Sequence, residues 1–250
     1  MISKARLKDI KALHQPKFRQ IYNKFIAEGD KVCCEFLKNK KFSIDQILIT
    51  SGNEKKYLGF LSNGTVEPDI ISTKEMEQIS TLKTPSDIFL LLDKKEDDTN
   101  ILLNDHISAI YLDGVQDPGN VGTIIRTADW FGIDMIIRSE DSADFFNPKV
   151  VQASMGSMVN LLLANADYKK VSSFNRPMYG TYMEGKDLQT TVIEEYAILV
   201  MGSEGKGISA EMDKYIQHKI TIGGAKKKLA ESLNVSVAAG IICAHWKKMD

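Results

Sequence analysis

The sequence predicts an α/β protein built on a mainly parallel sheet, with a smaller mixed α/β region ahead of it. Three observations carry this. Apolar runs alternate with amphipathic segments from about residue 108 onward, as strands joined through covering helices do. Three turns bearing glycine or asparagine follow predicted strands, and the crevice at the carboxyl ends of strands is where such sheets keep a ligand. The polar stretch Asp93-Lys94-Lys95-Glu96-Asp97-Asp98-Thr99-Asn100 interrupts the chain, so residues 93–105 read as a linker between domains at 1–92 and 106–250.

In the first region Pro16 starts a helix, with Phe18, Ile21, Tyr22 and Phe25 along one face at i, i+3, i+4 and i+7. Asp30 caps a second helix that ends near Lys38, and residues 44–50 form a strand. Ser72 and Glu75 have capping-box spacing ahead of a short helix, and residues 87–92 are an apolar strand. In the second region strands are expected at 108–112, 134–138, 159–163, 178–181, 196–201 and 217–222. Helices are expected at 121–131, 149–155, 210–215 and 234–247.

A chain of 250 residues with 43% hydrophobic and 26% charged content can build one large core or two small ones. It has no apolar run of about 18 residues, so no membrane partner is expected. Its first ten residues lack the apolar stretch of a secretory signal. Cys33, Cys34 and Cys243 form no Cys-x-x-Cys pair, which argues for reduced thiols in the cytoplasm and against a metal site. Net charge is −1, but residues 1–41 carry eleven Lys or Arg against four Asp or Glu. That local excess of seven supplies either a phosphate-facing surface or a solvated helical face.

The first of the three turns runs Asp113-Gly114-Val115-Gln116-Asp117-Pro118-Gly119-Asn120-Val121-Gly122-Thr123-Ile124-Ile125-Arg126. A strand passes through a Pro-Gly turn into a helix that Asn120 is placed to cap, and free N–H groups at its start suit an anion. The second is Leu199-Val200-Met201-Gly202-Ser203-Glu204-Gly205-Lys206-Gly207, an apolar strand running into three glycines. Its spacing is neither a Walker loop nor Gly-x-Gly-x-x-Gly, and Glu204 suits a ligand with amine or hydroxyl groups better than a bare phosphate. The third is Ile220-Thr221-Ile222-Gly223-Gly224, then Glu231-Ser232-Leu233-Asn234 at the start of a helix with small residues at Ala238, Ala239 and Gly240. Taken singly, each also reads as a capped loop of purely structural use.

In order and residue type the three together resemble the SPOUT superfamily, and within it the SpoU or TrmH-type RNA ribose methyltransferases. The resemblance covers residues 106–246. It includes Asp144-Phe145-Phe146-Asn147-Pro148-Lys149-Val150-Val151 and Ser154-Met155-Gly156-Ser157 between the first two turns. Residues 1–92 are similar in size and pattern to the family's small substrate-binding domain.

The resemblance implies a parallel sheet whose C-terminal segment forms a trefoil knot, and a homodimer acting on structured RNA, ribosomal or transfer. It implies S-adenosylmethionine as methyl donor, held near Thr181, Gly202, Ile220, Ile222 and Leu233. It makes Arg126 the catalytic arginine, with Asn120, Glu204, Ser232 and Asn234 at the other motif positions. The family casts the arginine as a base. A guanidinium is normally always protonated, so Arg126 is expected instead to bind phosphate and stabilise charge developing on the 2′-oxygen. Two departures stand out: Thr221 replaces a proline, and residues 225–230 lengthen the following loop, with lysines that either touch RNA or are solvated. A non-catalytic RNA-binding protein on the same fold is the competing reading.

Overall fold

The computed structural model describes residues 2–61, 66–103, 106–225, 227 and 229–247. Asn104 and Asp105 of the expected linker, and Lys226 and Lys228 of the lengthened loop, lie outside them. The chain divides into two compact units.

The first unit comprises residues Met1–Lys95 together with Asp144–Val159. Its helices are α1 (Lys4–Ala12), α2 (Pro16–Tyr22), α3 (Asp30–Lys38), α4 (Glu54–Leu61) and α5 (Thr73–Ile79). Its strands are β1 (Lys24–Glu28), β2 (Ile44–Thr50), β3 (Asp69–Ile71) and β4 (Ile88–Asp93). They form one sheet in the order β1-β4-β2-β3, with β4 antiparallel to both neighbours and β3 parallel to β2. The capping box is present: the Ser72 hydroxyl accepts from Glu75 N, and the Glu75 carboxylate accepts from Ser72 N.

The face read as one long helix from Pro16 to Phe25 is not continuous. Asn23 takes a left-handed conformation at φ 50°, which asparagine tolerates better than most residues, and closes α2. Phe25 therefore lies in β1, where period-two geometry sends it to one face of the sheet and Ile26 to the other. Ile26 joins Leu7, Ile10, Leu48, Met76, Phe89 and Leu91 in one core. Phe25 packs with Phe36, Phe42 and Phe146 at centroid separations of 5.8, 5.4 and 4.9 Å. Arg19, counted above in the basic excess, is wholly buried: its Nε donates to Asp144 Oδ2 (2.9 Å) and its Nη1 to Leu13 O (2.9 Å). Arg6 and Lys24 pair with Asp45. The exposed charge of α1 comes instead from Lys4, Lys8 and Lys11, which fall on one stripe of that helix.

The second unit comprises residues Glu96–Ala143 and Asn160–Asp250. Its strands are β5 (Ala109–Asp113), β6 (Met135–Arg138), β7 (Leu162–Asn165), β8 (Met178–Asp187), β9 (Ile198–Gly202) and β10 (His218–Thr221). Helix α6 (Pro118–Trp130) follows β5, while α7 (Pro148–Ser154) lies in the segment assigned to the first unit. Helices α8 (Tyr168–Ser172), α9 (Ala210–Asp213) and α10 (Val235–Trp246) complete the set. The sheet order is β10-β8-β9-β5-β6-β7, and every pairing is parallel, as the alternating pattern predicts. Strands β5 to β7 run outward one way, and the chain then crosses to the far side for β8. β9 therefore inserts beside β5 and the strand order reverses there. Asp113 and Gly202, the last residues of β5 and β9, are register partners at that switch point.

The three cysteines are free, and burial pushes the Cys243 thiol up to about 12, so it stays protonated at neutral pH. No described helix is long and apolar enough to cross a membrane. Among the described residues no group of three His, Cys, Asp or Glu could hold a metal ion.

Candidate active site

The start of α6 is fixed by Asp117, not by Asn120. Asp117 Oδ1 accepts from Asn120 N (2.9 Å), and Pro118 occupies the first helical position, where a missing N–H costs nothing. Asn120 sits in the first turn with its side chain free for other work. Its Nδ2 donates to Glu204 Oε1 (3.0 Å), and its Oδ1 accepts from Asn234 Nδ2 (2.9 Å). Asn234 Nδ2 also donates to Glu204 Oε1 (2.7 Å). One residue from each of the three turns thus meets the other two. A carboxylate accepting from two amides makes stronger bonds than a neutral acceptor would.

Asn234 has a second task. Its Oδ1 accepts from Ser236 N (3.0 Å) and Val237 N (3.3 Å), capping α10. The two ends of one amide therefore join helix α10 to the turns after β5 and β9. This separates two effects of substitution. Asn234→Ala should cost about 1 kcal/mol through the lost cap, lowering the thermal midpoint by roughly 2–4 °C. Asn234→Ser keeps a capping oxygen and should recover most of that loss, yet it has no amide to reach Glu204. Both variants should weaken ligand binding alike. Calorimetric melting beside a binding titration checks the separation, and equal binding by Asn234→Ser and the wild type would contradict it.

The glycine turn after β9 is tighter than a ligand-facing loop alone requires. A Cβ on Gly202 would overlap the main chain of Gly207 and Ile208, because the turn doubles back. Ser203 N donates to Gly207 O (3.0 Å), and Gly207 N donates to Ser203 O (2.8 Å). Gly207 supplies the positive φ, 69°. Asp113, buried at the end of β5, accepts from Ser209 N (2.6 Å) and fixes where the turn ends. Sequence reasoning gave Asp113 no role, although its position as the last residue before the first turn was visible.

Arg126 is exposed on α6, and no bond from it to Asn120 is among those described. Six residues on from Asn120 places it roughly 9 Å along the helix and about 120° round it. Ser232 and Leu233 are exposed just ahead of the Asn234 cap. Thr181 is half-buried in β8, where its Oγ1 lies 3.4 Å from Val200 O. Ile220 is buried in β10, so only its main chain can meet a ligand, whereas Ile222 beyond the strand is half-buried. Apolar side chains left open within β8 and ahead of α10, Met183 at 61% and Leu233 at 47% exposure, would lose water contact on meeting a flat aromatic ring.

The chain is similar to known proteins along most of its length. The sequence profile of the SpoU rRNA methylase family matches residues 108–244, and that of the MRM3-like substrate-binding domain matches residues 4–89. A Bacillus subtilis protein named 23S rRNA (guanosine(2553)-2'-O)-methyltransferase RlmP is 29% identical over 247 residues, 97% of this chain and 96% of its own length. Mitochondrial rRNA methyltransferase 1 of Schizosaccharomyces pombe is 33% identical over 148 residues, 53% of this chain but only 48% of its own. A TrmH-family structure from Porphyromonas gingivalis superposes with TM-score 0.84 at 32% identity, covering 99% of both chains. An AdoMet-bound rRNA methyltransferase from Sinorhizobium meliloti superposes with TM-score 0.83 at 26% identity, covering 98% of this chain and 95% of that one.

Proposed function

The chain belongs to the SpoU rRNA methylase family, and on that premise we propose that it transfers a methyl group from S-adenosylmethionine to a ribose 2′-hydroxyl of a structured RNA, ribosomal or transfer. The observation that carries the proposal is the meeting of Asn120, Glu204 and Asn234 at the carboxyl ends of β5 and β9. Convergence at the switch point gives a site, and the printed activity of the B. subtilis relative favours the ribose oxygen as acceptor. The AdoMet held by the S. meliloti relative favours the same donor here.

The residues present fit that donor. Main-chain atoms at Gly202 and Ile220 can meet a nucleoside's polar edge, while Thr181, Ile222 and Leu233 offer a rim for its ring. Bound there, the donor supplies an electrophilic methyl group. Asn120, Glu204 and Asn234 brace the three turns against one another, so each enters the complex already ordered. Ser232, exposed beside them, is placed to hydrogen-bond substrate. Arg126 reaches out from α6 to hold a phosphate and the attacking 2′-oxygen, stabilising negative charge there as a permanent cation.

Residues 1–92 are read as the RNA-substrate domain, with Lys4, Lys8 and Lys11 facing phosphate, residues 93–105 as linker, and 106–250 as the methyltransferase domain. The C-terminal segment is read as a trefoil knot, the assembly as a homodimer, and the compartment as the cytoplasm. A non-catalytic RNA binder on the same fold is the alternative; it would need the tight turn at Gly202 just as an enzyme would, but would not need Arg126 placed to meet a ribose oxygen, and the chain keeps that arginine. Mapping 2′-O-methyl positions in total RNA from cells with and without the protein tests the reading. One or a few positions should lose methylation on deletion and regain it on complementation. An unchanged map, with purified protein that ignores the donor, would refute it.

A further inference from the structure

A second cluster at the same end of the sheet has no part in the three motifs. Tyr182 on β8 donates its hydroxyl to Asp213 Oδ1 (2.5 Å), and Lys219 Nζ on β10 donates to the same oxygen (2.8 Å). Lys219 Nζ also sits 4.6 Å from the centroid of the Tyr182 ring, within cation–π range. Asp213 closes α9, so three elements meet at one carboxylate. The lysine, the carboxylate and the hydroxyl act on each other as expected: Lys219 first and Tyr182 second hold the Asp213 carboxyl below its ordinary range, while burial and then Asp213 raise the Tyr182 hydroxyl.

The location matters more than the strength. Tyr182 follows Thr181, and Lys219 precedes Ile220, so each side chain is adjacent to a residue assigned above to the donor. The β8–β10 ladder breaks register between Lys219 and Ile220: Lys219 opposes Gly180, while Ile220 opposes Lys186. The ladder therefore does not itself align the main chain of Thr181 with that of Ile220. The gap is closed by other means. Thr221 Oγ1 donates to Met183 O (3.0 Å), and Gly185 lies so near Lys219 O that a Cβ would come within 2.7 Å of it. The ring of Tyr182 lies over Gly180, where a Cβ would approach Tyr182 Cε2 to 2.7 Å.

We propose that Tyr182, Asp213 and Lys219 are positioning residues for the methyl donor, holding the main chain of Thr181 and Ile220 in register where the sheet does not. The inference rests on the donor-site reading of those two residues. Lys219 and Asp213 are 48% and 40% exposed, and an ion pair that open to solvent contributes little to fold stability. Breaking it should therefore leave the folded chain nearly as stable while loosening the donor site, an outcome that a merely structural contact would not give.

The test uses the full chain and the variants Asp213→Asn, Lys219→Met and Tyr182→Phe, with S-adenosylmethionine as titrant. Donor Kd and KM should rise about two- to fivefold for Asp213→Asn and Lys219→Met, the scale of one solvent-exposed ion pair. Tyr182→Phe keeps the ring and should show a smaller rise, and Lys219→Arg should restore binding. Turnover at saturating donor should stay within about twofold of wild type, and the melting midpoint without donor should hardly move. Donor affinity unchanged in all three variants, or a loss of turnover with affinity intact, overturns the inference while leaving the proposed function standing. Wild-type protein that does not bind the donor overturns both.

Discussion

Arg126→Ala is expected to lower the rate of methyl transfer about a hundred- to a thousandfold, the usual cost of removing one donor to a developing oxyanion. Donor affinity should stay within about twofold, because Arg126 stands outside the amide and carboxylate junction that braces the turns. Its side chain is exposed on α6, so removing it should also leave the melting midpoint in place. Arg126→Lys should recover only part of the rate. A lysine restores the charge but not the planar fork that can grip a phosphate and a ribose oxygen together. Single-turnover kinetics at saturating donor and RNA measure the effect directly. A rate for Arg126→Ala within a few-fold of wild type would remove the arginine from the chemistry, whether as base or as charge stabiliser.

The second large effect is expected at Gly202. An added methyl has nowhere to go, since the space is filled by the main chain of Gly207 and Ile208 rather than by a movable side chain. Gly202→Ala must therefore open the turn and break the paired hydrogen bonds between Ser203 and Gly207. Overpacking of this kind costs about 2–3 kcal/mol, a drop of roughly 5–10 °C in melting midpoint for a chain of this size. Glu204 rides on the same turn, so its bonds to Asn120 and Asn234 should loosen and donor binding should be lost with them. Gly205→Ala is the control. Nothing lies within 4 Å of its Cβ position and its φ is ordinary, so it should melt and bind as wild type does. Equal melting of the two variants would show that the turn is softer than its packing implies.

The second unit was legible because its strands are apolar runs ended by glycine or asparagine, and both features are local. The junction of Asn120, Glu204 and Asn234 was legible only through family resemblance; nothing in the spacing of residues 114 positions apart says that their amides meet. Two errors came from local ambiguity. Phe25 keeps helical spacing with Phe18, but Asn23 ends the helix by its own left-handed turn. Asn120 is a good capping residue, but Asp117 followed by Pro118 is a better one, and that signal was present in the sequence. The cluster of Tyr182, Asp213 and Lys219 was invisible because its members belong to three elements with no shared period. The basic count over residues 1–41 also misled in part. It gave equal weight to Lys8, which faces water, and Arg19, which is buried against Asp144.

Phe146 completes the aromatic core around Phe25 and Phe42, and Asp144 completes the partnership of Arg19. Both come from a stretch of chain nearly fifty residues downstream of the last other residue of that unit. A fragment cut after residue 95 would carry an uncompensated guanidinium and a bare phenylalanine face into solution. The first unit is thus not separable at the polar break: a piece ending at residue 95 should aggregate, and any exchange of that unit between relatives must carry residues 144–159 with it.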